Sequence, residues 1–259
     1  MERSQIGMVC LDISGTLTSG SVGPPFDGAV EAVRRVMRKL PVRFVTNVTS
    51  RTHREIADRL ASLGVLDDRD ALLTPATTAR RVLQRRHADT GLLLVDGPAA
   101  GDFDWFRDDP EGPTVLLGTE GHDRRIGELQ PAFRRLLAGA DLYALQRNRY
   151  FEREGELWTD VGPLAAFLAY AAEREVQVLG KPSKLLFDAI AAESGLATGC
   201  LLMVGDDAEF DVSASVGLGL HGVLVRTGRY RPGDEARVSP PPTDTIDSLA
   251  DLPRWLGLD

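Results

Sequence analysis

The stretch at residues 8–17, MVCLDISGTL, limits the fold more than any other part of the chain. Residues 8–11 are wholly apolar and include β-branched Val9 and Cys10. Such a run reads as a strand covered on both faces, the kind that sits at the centre of a parallel sheet. It stops at Asp12, and Gly15 follows three residues later. A carboxylate at the C-terminal end of a parallel strand lies where open α/β sheets bind their ligands. An Asp after a strand also forms plain turns, so this stretch alone leaves both readings open.

The same texture returns along the chain. Val42–Val45 is a second apolar run and ends in Thr46 and Asn47, while 200–204 ends in Gly205, Asp206 and Asp207, with 223–225 beyond it. Helical patterns fall between these runs. Asp27 is expected to cap a helix reaching Leu40, with Val30, Val33, Met37 and Leu40 on its buried face. Thr52 and Glu55 form a capping-box pattern ahead of Ile56, Leu60 and Leu63, and Gly64 marks the stop. Thr74-Pro75 opens another helix. Ser183 caps a further one with Leu186, Phe187 and Ile190 inward. Later helices are predicted over 210–216 and 248–256.

Between about residues 81 and 176 the pattern changes. Short strands are predicted at 92–95, 114–117, 142–145 and 150–158, with helices at 128–137 and after Gly162-Pro163. Residues 176–179 read as the return of the first rhythm. The expectation is an α/β fold with a Rossmann-like parallel-sheet core of residues 1–80 and 177–259, and an inserted α/β cap domain at 81–176.

A length of 259 residues allows one large domain or two smaller ones. The formal net charge of −8 speaks against broad binding to nucleic acid or an anionic membrane, since both need a basic face. The basic run RRVLQRR at 80–86 reads as the solvated side of a helix. No apolar signal core or bilayer-length stretch is evident, and Cys10 and Cys200 read as buried thiols, so a cytoplasmic location is expected. His53, His87, His122 and His221 lack metal-ligand spacing, which argues against zinc. The pattern Gly217-x-Gly219-x-x-Gly222 fits a dinucleotide fingerprint, but a helix is predicted before it and a strand after it, the reverse of what that motif needs.

Four sets of polar groups sit at comparable places: Asp12 and Ser14, Thr46 and Asn47, Lys181, and Asp206, Asp207 and Asp211. Each has a plain structural explanation as an Asx turn, a helix cap, a surface lysine or loop carboxylates. Together they are chemically coherent. Asp12 and Asp206 would repel each other unless a cation lay between them, and hard carboxylate oxygens suit Mg²⁺. Mg²⁺, Lys181 and the Thr46 hydroxyl around one carboxylate make a site for a phosphoryl group. Asp12 could then attack phosphorus and form an aspartyl phosphate. Asp211 reads more naturally as orienting Lys181 than as a ligand.

These residues resemble the four motifs of the haloacid dehalogenase superfamily of phosphotransferases: DISGT at 12–16, Thr46 after a strand, Lys181 within GKPS, and GDDAEFD at 205–211. The resemblance implies that Asp12 is the nucleophile. It implies that Mg²⁺ is held by Asp12, the main-chain carbonyl of Ser14 and Asp206, with Thr46 and Lys181 on the phosphoryl oxygens. Ser14, Asn47, Thr46 and Lys181 are the expected substrate-binding groups, supported by Asp207 and Asp211. One departure stands out: most phosphatases of the superfamily carry an Asp two residues after the nucleophile, where this chain has Ser14.

FVTN at 44–47, TDVGP at 159–163, VLGKPS at 178–183 and VRTGRYRPGDE at 225–235 are similar to the sub-family of phospholysine phosphohistidine inorganic pyrophosphate phosphatases. That implies a substrate with a P–N bond, or inorganic pyrophosphate. A sugar- or nucleotide-phosphate phosphatase, and a weakly catalytic phosphate-binding regulator, stay open as alternatives. The partner expected is a small phosphorylated molecule or a phospho-side chain, with no nucleic acid or membrane, and a homodimer is left open. Substrate-facing cap residues are expected between Tyr150 and Pro163, around Asp160.

Overall fold

A computed structural model describes residues 5–118, 125–153 and 155–258. His122 and Glu154 therefore lie outside the described residues. The chain divides into two compact units. One runs up to Thr46, then Arg54–Leu73, then from Phe187 onward; the other is Asn47–His53 with Thr74–Leu186. These divisions fall some residues outside the 81–176 limits expected for the cap.

The elements in chain order are β1 (Met8–Asp12), α1 (Ala29–Met37), β2 (Val42–Val45), α2 (His53–Ser62) and β3 (Leu72–Leu73). Then come α3 (Pro75–Arg85), β4 (Thr90–Leu94), β5 (Arg107–Asp108), β6 (Thr114–Leu117), α4 (Gln130–Leu137) and β7 (Asp141–Ala144). They are followed by β8 (Tyr150–Arg153), β9 (Glu156–Thr159), α5 (Val161–Ala172) and β10 (Val176–Val178). The chain closes with α6 (Lys184–Ser194), β11 (Leu201–Gly205), α7 (Ala214–Gly217), β12 (His221–Val225), β13 (Asp244–Ile246) and α8 (Leu252–Trp255).

The first unit is built on a parallel sheet in the order β13-β12-β11-β1-β2-β3. β1 and β11 are buried along their whole lengths, as strands covered on both faces must be. β1 has the next strand in sequence on one side and β11 on the other, so the strand order reverses between them. That reversal is the switch point at which open parallel sheets leave a crevice.

α1 departs from the expected helix. Gly28, in the left-handed conformation at φ 72, precedes it instead of an Asp27 side-chain cap. The buried stripe is Ala29, Ala32, Val33 and Val36, packed toward α8, while Val30, Met37 and Leu40 are only partly covered. Small alanines fill the close contact, and a pattern that counts only large apolar side chains misses them. β3 is two residues long, too short to show as a period.

The second unit has its own parallel sheet, β10-β7-β6-β4-β5. Side chains alternate across it. Leu116 and Tyr143 pack with Ala76, Ala79, Val82 and Leu83 from α3. Val115, Leu117, Leu142 and Ala144 pack with α4 and α5 through Ala132, Leu136, Ala165 and Leu168. The period of two thus places helices on both faces. β10 pairs with β7, so residues 176–178 belong to this sheet and not to the first, contrary to the sequence reading. A short apolar run does not say which sheet it joins. The expected strand 150–158 is a hairpin of β8 and β9, with Gly155 in the turn at φ 82.

Within the glycine pattern at 217–222, Gly222 has a packing role. α7 precedes it and β12 follows. A Cβ on Gly222 would lie 2.8 Å from Val216 Cγ2 and 3.0 Å from the Val212 carbonyl oxygen, whereas one on Gly217 would meet nothing nearer than 3.8 Å. Gly222→Ala is therefore expected to cost about 1–3 kcal/mol in urea unfolding, the usual range for overpacking. Gly217→Ala should stay within about 0.5 kcal/mol or stabilise. Equal effects of the two substitutions would rule out this packing role.

Candidate active site

The site begins with strand register. Leu11 of β1 stands opposite Val204 of β11. Asp12 is the last residue of β1, and Asp206 directly follows the last residue of β11. Neighbouring strands lie about 4.8 Å apart, so both carboxylates leave the sheet side by side at the switch point. Beyond β11 the chain makes a π-helical turn over Ala208–Ser213. Asp207 caps that turn, accepting from the Glu209 N–H at 3.0 Å and the Phe210 N–H at 2.8 Å. The turn carries Asp211 back against the strand end. A Cβ on Gly205 would lie 2.6 Å from Asp211 Cβ, so the approach requires glycine.

Asp12, Asp206 and Asp211 are all buried, and each offers an oxygen within 4.8 Å of the other two. The carboxylate of Asp206 is held from two sides. Thr16 Oγ1 donates to Oδ1 at 3.4 Å, and the Arg229 main-chain N–H donates to Oδ2 at 2.7 Å. The Arg229 guanidinium lies 3.5 Å from Asp207 Oδ2. Partial burial pulls the Arg229 pKa down, but the charges of Asp207, Asp206, Asp211 and Asp12 outweigh it, and the net shift is upward. The loop after β1 closes on itself, with the Gly15 N–H donating to the Thr18 carbonyl at 2.7 Å. Ser14 Oγ is buried there with no hydrogen-bond partner among the described residues. Thr46, at the end of β2, is buried and donates its N–H to Leu73 at 3.0 Å.

Lys181 and Asn47 belong to the second unit. Lys181 is buried, and Asn47 brackets its main chain: Nδ2 donates to the Lys181 carbonyl at 2.6 Å, and the Lys181 N–H donates to Oδ1 at 2.7 Å. Gly180 allows this, since a Cβ would press on the Asn47 amide and the Leu145 carbonyl. Asn47, read from the sequence as a substrate group, thus directs its side-chain amide to the backbone of Lys181. Asp160 caps α5, accepting from the Val161 N–H at 2.7 Å and from Gln146 Nε2 at 3.0 Å. Sequence reasoning had given no role to Thr16, Thr227, Gly228 or Arg229. The only signal for the last three was their place in the stretch 225–235.

A haloacid dehalogenase-like hydrolase family model matches residues 9–102, and a HAD-hydrolase-like model matches residues 178–252. Human haloacid dehalogenase-like hydrolase domain-containing protein 2 is 37% identical over 247 residues, covering 93% of this chain and 92% of that protein. The chain belongs to the haloacid dehalogenase-like hydrolases. Another relative is the phospholysine phosphohistidine inorganic pyrophosphate phosphatase of Bos taurus, 33% identical over 94% of this chain and 91% of that protein. The 4-nitrophenylphosphatase of Thermotoga maritima shares the fold, with a TM-score of 0.83 at 23% identity, covering 97% of this chain and 98% of that one.

The carboxylate group suits a hard divalent cation. Its donors are all carboxylate oxygens, with neither imidazole nor thiolate among them. The space around Asp206 is closed to added bulk, because a Cβ on Gly15 or on Gly228 would strike its carboxylate. Mg²⁺ is therefore expected to raise the unfolding free energy by about 2.7 kcal/mol when it exceeds its Kd a hundredfold. Asp206→Asn should remove most of that increment and leave the metal-free protein as stable as wild type or more so. Thermal unfolding with and without Mg²⁺ checks this; an undiminished increment would exclude Asp206 as a ligand.

Proposed function

We propose that this hydrolase is a Mg²⁺-dependent phosphatase that works through an aspartyl phosphate on Asp12 and favours P–N bonds and inorganic pyrophosphate. The observation that carries the reading is the grouping of Asp12, Asp206 and Asp211 at the switch point of a parallel sheet. The name of the bovine relative supports the substrate class.

In this reading a carboxylate oxygen of Asp12 attacks phosphorus. The O–P bond forms as the bond to the leaving nitrogen or oxygen breaks, and the leaving group departs with that electron pair. Water then attacks phosphorus of the aspartyl phosphate, releasing inorganic phosphate, returning the Asp12 carboxylate and giving its proton to solvent. Bound Mg²⁺, held by Asp12, Asp206 and the Ser14 main-chain carbonyl, would offset charge on the phosphoryl oxygens. We assign Thr46 and Lys181 to those same oxygens. Asp211, grouped with the other two carboxylates, shapes the field at this site, and Asp207 holds the turn that carries it.

Ser14 sets the leaving-group preference. A positioned general acid is worth roughly 10²–10⁴ in rate. A serine hydroxyl is a very weak acid and does not replace it. Alkyl phosphates leave as basic alkoxides and suffer most from the loss. Phosphoramidates take a proton on nitrogen from solvent, and pyrophosphate leaves as a stabilised phosphate. The test is kcat/KM for imidodiphosphate, pyrophosphate and a hexose phosphate with Mg²⁺, using Asp12→Asn as the control. The first two substrates should lead, and Asp12→Asn should abolish turnover of all three. A hexose phosphate turned over fastest would overturn the leaving-group argument. Phosphate binding without turnover would favour the regulatory alternative.

A further inference from the structure

The segment directly after β12 touches both loops that build the carboxylate site. Thr227 Oγ1 donates to the Gly15 carbonyl oxygen at 2.6 Å. Gly228 follows at φ 58; a Cβ there would strike the Asp206 carboxylate and lie 2.7 Å from the Gly15 carbonyl oxygen. The Arg229 N–H then donates to Asp206 Oδ2 at 2.7 Å. Three consecutive residues thus join the loop after β1 to the loop after β11, beyond the reach of the β1–β11 ladder itself.

The consequences follow from planar peptides. Gly15 is held at its N–H by the Thr18 carbonyl and at its carbonyl by Thr227. Both peptide planes flanking Gly15 are therefore fixed. In a trans peptide the carbonyl oxygen lies opposite the following N–H, so the Ser14 carbonyl is aimed away from Thr18. Asp206 is fixed as well, held at one oxygen by Thr16 and at the other by the Arg229 main chain. The bond to Arg229 comes from the main chain, so no side-chain change at 229 short of proline removes it.

We propose that Thr227, Gly228 and Arg229 form a positioning clamp that sets the Ser14 carbonyl and the Asp206 carboxylate in register for a divalent cation. This rests on the reading of the carboxylate group as a Mg²⁺ site. None of the three acts on the reacting atoms. Groups that orient metal ligands typically change affinity by about 10- to 100-fold when removed.

The test measures Mn²⁺ binding by electron paramagnetic resonance, without substrate, on wild type, Thr227→Val and Thr227→Ser. Urea midpoints are recorded alongside, and Thr227→Ala replaces the valine variant if that one does not fold. Thr227→Val should bind Mn²⁺ roughly tenfold or more weakly. Its kcat should recover at saturating metal, while Thr227→Ser should keep near wild-type affinity through its hydroxyl. Equal Mn²⁺ affinity in wild type and Thr227→Val would overturn the clamp. So would a serine variant as weak as the valine one, since shape and not the hydrogen bond would then matter. A wild type that binds no Mn²⁺ would instead overturn the metal site on which the clamp depends.

Discussion

Three buried carboxylates with oxygens no more than 4.8 Å apart set the terms for the first unit. Two unit charges at that distance repel by about 3 kcal/mol at an effective dielectric near 20. The fold accepts this cost at the point where its strand order reverses. It is offset in part by donors: Thr16 and the Arg229 main chain on Asp206, and the Arg229 guanidinium beside Asp207. A cation and a phosphoryl group are complementary additions to such a site. The first would neutralise the carboxylates, and the second would then meet less repulsion.

Much of the surrounding backbone is explained by how closely these groups approach. Gly205 leaves room for Asp211, while Gly15 and Gly228 leave room for Asp206. Gly15 at φ 91 and Gly228 at φ 58 also occupy conformations that side chains disfavour. In the second unit Gly180 does the same for Asn47, which brackets Lys181. The polar residues are the ones to which we assign the chemistry, and the glycines beside them determine how near they come.

The strand-end carboxylates were legible in the sequence because each ends a wholly apolar run, and the sheet order of such runs is tightly restricted. Either one alone was compatible with a plain turn; the other polar sets at comparable places singled them out. The membership of β10 was not legible, since Val-Gln-Val fits the edge of either sheet. Asp160 was read with the expected substrate-facing stretch, and its cap on α5 is a local role that only the helix start reveals. The clamp was the least legible part. Thr227 and Gly15 are 212 residues apart, and a threonine before a glycine carries no pattern of its own. No helix among the described residues is long and apolar enough to cross a membrane.

The covalent role of Asp12 is the claim on which the chemistry turns, and it is open to direct observation. Wild-type protein can be quenched in acid during turnover of pyrophosphate with Mg²⁺, digested, and mapped by mass spectrometry. The expected result is one phosphoryl group on the peptide that contains Asp12, lost on treatment with hydroxylamine as an acyl phosphate should be. A phosphoryl group on any other residue, with Asp12 unmodified under the same conditions, would contradict it.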